Sequence, residues 1–229
     1  MLKYLAFLIF SLFFSATYST EIDLPPVIQF HHVKNNAHNE SYMTGCAAFN
    51  SAPELRPLFH NLRNRYQIKT VIETGTYQGA STAFFALAFP EVHTIDISPQ
   101  FRGESQERLS SFANIQFHLG SSEKVLAHIL PTLKDRFILF YLDAHWDEFW
   151  PLLDELEEIN KTHHQRCIIV IDDIKVPGRN DIPFDAYKEK ECSYEYVKEK
   201  IEKLFDAHSV HYLIPNNVNS RAKLMVIPR

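Results

Sequence analysis

The chain is poor in glycine, with six in 229 residues. Few positions therefore tolerate a left-handed backbone or a close approach of another group, and two glycines within five residues mark a place of special demand. Cysteine is scarcer still, at three (Cys46, Cys167 and Cys192). These have no metal-ligand spacing, and an odd number excludes a complete disulfide framework. A basic excess is also missing. The net charge is −5, and lysines and arginines are scattered among acids, which excludes the broad positive field that nucleic acid requires. There is no internal repeat and no low-complexity tract. What is abundant is apolar: 45% of residues are hydrophobic, enough for the substantial core of one domain of about 200 residues.

The first twenty residues stand apart. Lys3 precedes an apolar run from Tyr4 to Phe14 that ends in small polar residues, with Thr17 and Ser19 before Thr20. The run is too short to span a bilayer comfortably, so residues 1–20 read as a signal peptide or membrane-targeting leader. This predicts an exported or membrane-associated protein, with membrane contact through the leader alone, and a cytoplasmic one if the leader is not functional. Residues 21–50, with Pro25-Pro26, His31-His32 and Asn35-Asn36, lack periodicity and read as an extended arm or lid. The main domain is expected over residues 51–229.

Within it, apolar strands and helical faces alternate. Leu55, Leu58, Phe59, Leu62 and Tyr66 form one side of a helix. Strands are expected over residues 70–73, 92–96, 115–119, 137–143 and 167–172, with helices over 81–89, 100–113, 122–133 and 149–159 between them. Such alternation predicts an α/β, doubly wound, mostly parallel sheet. The end departs from it. Residues 210–214 and 223–227 are apolar runs separated only by PNNVNSR, which predicts an antiparallel hairpin.

The stretch VIETGTYQGAST, residues 71–82, follows the first strand of this alternation. Ligands of open α/β sheets bind beyond the carboxyl ends of the strands, where Gly75 and Gly79 permit close backbone approach and Ser81 is placed to cap the next helix. The spacing E-x-G-x-x-x-G differs from the G-x-G-x-x-G that seats a pyrophosphate, and an acidic strand tip repels one. Glu73 suits an amino group or hydroxyls instead. Asp96 ends the next strand, where an acid can hold both hydroxyls of a ribose, and Gly120-Ser121-Ser122 follows the third.

On these residues the chain resembles the class I S-adenosylmethionine (SAM)-dependent methyltransferases over roughly residues 55–229. The resemblance implies a Rossmann-like seven-stranded sheet with a C-terminal antiparallel hairpin. It implies that Glu73, Gly75 and Gly79 contact the methionine part of the cofactor, Asp96 the ribose and Ser121 or Ser122 the adenine edge, with Thr76, Ser81 and Asp143 also among the cofactor-binding residues.

Two later strand tips, FYLDAHWDEFW and IIVIDDIKVPG, suggest the reaction type. Asp143, Asp172 and Asp173 are expected to meet beside the methyl group, and three carboxylates cannot all be desolvated without compensation. Mg²⁺ or a similar hard cation would provide it and would acidify a substrate hydroxyl. The pattern resembles metal-dependent O-methyltransferases of the catechol and macrolide-sugar type, with a cephalosporin-hydroxylase-like group nearest the ETGTYQGAST stretch. That resemblance implies Asp143, Asp172 and Asp173 as metal ligands, Trp146 near the substrate, and a small-molecule or sugar hydroxyl as acceptor. Asp147 stands where the catechol type has a lysine base, leaving Asp143 or His145 as proton acceptor. Two other functions fit parts of the pattern. One is a non-catalytic binding or effector protein on the same scaffold; the other is a metal-dependent glycosyltransferase, which Glu73 disfavours.

Overall fold

The computed structural model describes residues 27–29, 48–145, 149–216 and 220–229. The strands are β1 (Val27–Gln29), β2 (Thr70–Thr74), β3 (Glu91–Asp96), β4 (Ile115–Leu119), β5 (Ile138–Leu142), β6 (Cys167–Ile171), β7 (Ala186–Tyr187), β8 (Lys190–Glu191), β9 (His208–Ile214) and β10 (Lys223–Pro228). The helices are α1 (Ala48–Ser51), α2 (Arg56–Tyr66), α3 (Ala80–Ala88), α4 (Pro99–Arg108), α5 (Ser122–Leu133), α6 (Leu152–His163) and α7 (Tyr194–Leu204). The main sheet runs in the order β1-β9-β10-β6-β5-β2-β3-β4, while β7 and β8 pair as a separate small ribbon.

The expected seven strands are all present, and β9 and β10 form the antiparallel pair. An eighth, β1 from the arm, adds to the edge in parallel with β9. Strands β2, β5 and β6 are buried along their whole length, as runs such as CIIVI demand when helices cover both faces of a parallel sheet. Alternate residues face opposite layers. Ile72, Phe140 and Ile169 pack with Leu126, Leu156 and Val197 on one side, and Val71, Tyr141 and Val170 pack with Phe59 and Phe85 on the other. The second layer contains an aromatic nest in which Phe49 stands 4.9 Å from Phe59, 5.1 Å from Phe84 and 5.6 Å from Tyr141, centroid to centroid. Among the described residues, Ala48 and Phe49 are already part of the core.

Parallel register sets the strand tips level with one another. Thr74 stands opposite Ile95 and Leu142, and Leu142 opposite Ile171. Asp96, Asp143 and Asp172, each at or just past a strand end, therefore emerge at one edge of the sheet, at the carboxyl ends. None of the helices among the described residues is long and apolar enough to cross a membrane.

Candidate active site

A cavity of about 260 Å³ opens at this edge, lined by Gly75, Tyr77, Asp96, Phe101, Ser121, Ser122, Asp143, His145, Phe149 and Asp173 among others. Its size is near the lower end of the roughly 300–1,000 Å³ common for ligand pockets. Gly75 makes the fit between the β2 and β5 loops possible. It has φ +84°, and a Cβ there would collide with the carbonyl of Asp143; only glycine meets both demands.

Asp96 is organised by the backbone. Its Oδ2 accepts from the Tyr77 N–H at 2.8 Å and its Oδ1 from the Ser98 N–H at 2.8 Å, which leaves further lone pairs for a ligand hydroxyl. The Tyr77 ring packs edge-on against Phe101 with centroids 4.8 Å apart, giving the cavity an aromatic wall beside Asp96. Ser121 and Ser122 are at the start of α5 on the same cavity. Beneath Ser122, in the first turn of α6, is the fully buried Glu155. Its carboxylate has no hydrogen bond of good geometry among the described residues; the hydroxyls of Ser122 and Thr74 are its polar neighbours, and burial pushes its pKa up to about 7.

Four of the sequence-predicted cofactor residues are not on the cavity wall. Glu73 is turned toward the helix layer, where its Oε2 accepts from Thr94 Oγ1 at 2.7 Å and from Thr82 Oγ1. Burial raises its pKa to about 7 against these hydrogen bonds. Thr76 shares a 2.6 Å hydrogen bond with Thr94 in the same buried network. Gly79 begins α3 against Leu109. Ser81, expected to cap that helix, instead accepts the Phe49 N–H at 3.1 Å and so ties α1 to α3.

The acids of the later strands are distributed differently from the expected triad. Asp172 is committed to the fold: Oδ1 accepts from the buried Lys223 Nζ at 2.5 Å and from the Asp173 N–H at 2.7 Å, while Oδ2 accepts from the Tyr141 hydroxyl. Asp173 Oδ2 meets Arg221 Nη1 at 2.6 Å. His145 takes the place of Asp172 in the cluster, and ligand atoms of Asp143, His145 and Asp173 lie within 4.8 Å of one another. A fourth acid, Asp185, arrives from the loop after β6. Its Oδ2 is 2.7 Å from His145 Nε2, its Oδ1 pairs with Arg221, and its N–H donates to the Asp173 carbonyl at 3.0 Å.

Electrostatics follow from this layout. Burial, reinforced by Asp172 and Asp173, pushes the pKa of Asp143 well above the usual carboxylate range. Burial acts the same way on Asp173, but the hydrogen bonds from His145 and Arg221 and the charge of Lys223 outweigh it and hold its pKa low. For His145 burial favours the neutral ring, yet Asp173 and Asp143 raise its pKa.

Residues 72–174 match the family model described as a methyltransferase domain. This segment is similar to a methyltransferase domain. Among solved structures, the chain is similar to the O-methyltransferase TomG from Streptomyces achromogenes, solved with SAM, at 19% identity and a TM-score of 0.55 over 78% of this chain and 80% of that one. The O-methyltransferase from Bacillus cereus, solved with SAH (S-adenosylhomocysteine), gives 14% identity and a TM-score of 0.59 over 80% and 84%. The Podospora anserina methyltransferase PaMTH1, also SAH-bound, gives 18% and 0.51 over 78% and 80%. At these identities the likeness establishes the class I methyltransferase fold. No curated protein matches the chain.

Asp185, Arg221, Lys223, Tyr77, Phe101 and Glu155 were not singled out from the sequence. The one local signal is Lys223 at the head of the otherwise apolar KLMVI, since a charge that starts a buried strand needs a partner. Cys167 and Cys192 are both buried free thiols. Cys46, Trp146, Asp147, His31, His32 and the leader lie outside the described residues.

Proposed function

We propose that the methyltransferase domain transfers the methyl group of SAM to a hydroxyl oxygen of a small molecule or sugar. The observation that carries this reading is the cavity at the carboxyl strand ends, where Gly75, Asp96, Ser121, Ser122 and Asp143 converge. The residues fit the cofactor: Asp96 keeps lone pairs for ribose hydroxyls, and Gly75 lets the backbone close on the ligand without a Cβ. When bound, SAM supplies an electrophilic methyl carbon. Asp143 is the proton acceptor. It faces the cavity, and no hydrogen-bond donor among the described residues occupies its side chain, so the ionised carboxylate is open to a substrate hydroxyl. His145 stands beside it, 3.8 Å from Asp143 Oδ1, to balance the charge that the departing proton leaves behind. Phe149 forms part of the cavity mouth where an acceptor enters.

Calorimetric titration tests the cofactor. SAH is expected to bind with one-to-one stoichiometry, and Asp96→Ala is expected to weaken it roughly tenfold to a hundredfold, the worth of one or two charge-assisted hydrogen bonds. A protein that binds neither SAM nor SAH sinks the reading. We further propose that residues 1–20 direct the chain to a membrane or secretory compartment. The mass of the mature amino terminus from the native host checks this.

A further inference from the structure

The expected metal ligands do not fit a divalent cation as the protein folds them. Both oxygens of Asp172 are already engaged, one by Lys223 and the Asp173 N–H, the other by Tyr141. Asp173 and Asp185 share Arg221, and His145 is drawn to Asp185 at 2.7 Å. Lys223 is wholly buried and carries its charge into the core between β6 and β10. Four carboxylates, Asp143, Asp172, Asp173 and Asp185, thus meet one guanidinium, one ammonium and one imidazole. A metal on Asp173 Oδ2 would face Arg221 on the same oxygen, and like charges at that range repel.

We propose that Arg221 and Lys223, brought in by the last strand and the turn before it, supply the counter-charge at the acidic strand ends, so that this methyl-transfer site works without a metal. The inference rests on the methyltransferase reading of the site. Arg221 and Lys223 are positioning residues: they hold Asp173, Asp185 and Asp172 in place, and among the described residues they leave Asp143 as the carboxylate with no cation closer than the imidazole at 3.8 Å. The guanidinium is suited to the task because two carboxylates can share its planar fork of donors.

The test is titration of the full chain with Mn²⁺, read by electron paramagnetic resonance and calorimetry, in parallel with SAH. Wild type is expected to show no saturable Mn²⁺ binding up to millimolar concentration. Arg221→Ala is expected to gain a saturable site at least tenfold tighter, because Asp173 and Asp185 lose the guanidinium they share and can ligate the ion together with His145 and Asp143, and to lose it again when combined with Asp143→Asn. One saturable Mn²⁺ in wild type, abolished by Asp143→Asn, overturns the inference. So does a folded Arg221→Ala that gains no site. Should Arg221→Ala fail to fold, Arg221→Lys keeps the charge, and with it saturable Mn²⁺ binding has the same overturning force as in wild type. Failure of SAH to bind strikes the methyltransferase reading, while the Mn²⁺ measurement decides the charge question separately.

Discussion

Lys223 Nζ lies 2.5 Å from Asp172 Oδ1, with side chains 0% and 1% exposed. This pair joins the end of β6 to the start of β10 across 51 residues of sequence. Burial makes the pair indispensable once formed, since removing one partner leaves an uncompensated charge in the core. Lys223→Met is expected to destabilise the protein by about 3–5 kcal/mol in urea unfolding. The double variant Lys223→Met with Asp172→Asn is expected to recover more than half of the loss; no recovery means that the lysine acts through packing alone.

Gly75→Ala puts a methyl group against the Asp143 carbonyl at a φ of +84°. Backbone strain of this kind costs about 1–3 kcal/mol before the clash is counted. Because β2 and β5 loops must both shift, the melting temperature and SAH affinity are expected to fall together. A variant that loses stability but binds SAH normally would separate Gly75 from the ligand.

Two carboxyls make stability pH-dependent in a defined window. Glu73 and Glu155 have pKa values raised from 4.5 to about 7 by burial. Between these limits the folded protein keeps protons that the unfolded chain has released, so stability falls as pH rises through the window and levels off above it. Each group accounts for about 3 kcal/mol of that loss by neutral pH. Glu155→Gln is expected to remove its share: urea midpoints at roughly pH 5 and pH 8 will lie closer together than in wild type, with most of the gain at the higher pH. An unchanged spacing means that Glu155 titrates normally.

Phe49 is the anchor by which the segment before α2 reaches the core, 1% exposed among Phe59, Phe84, Phe85 and Tyr141. Phe49→Ala is expected to cost about 3–5 kcal/mol. A loss below about 1 kcal/mol, the level of an ordinary surface substitution, means that this segment is dispensable to the fold.

The strand-helix order, the level strand tips and the terminal hairpin were legible in the sequence, because each follows from a local period: short runs such as CIIVI and ILFYL, helical faces of 3.6 residues, and glycine after β2. Gly75, Asp96, Ser121, Ser122 and Asp143 could be placed at one sheet edge for the same reason, since parallel strands present their carboxyl ends together. Which carboxylates face the cavity was decided only by the tertiary structure. Glu73 turns to Thr82 and Thr94, Asp172 to Lys223 and Tyr141, and Asp185 comes from a loop to meet His145 and Arg221. These pairings join residues far apart in the chain, and whether an acid serves a ligand or the fold depends on which cation or hydroxyl the sheet order brings within reach. Sequence periodicity carries the position of a backbone; the partner of a side chain is a property of the packed whole.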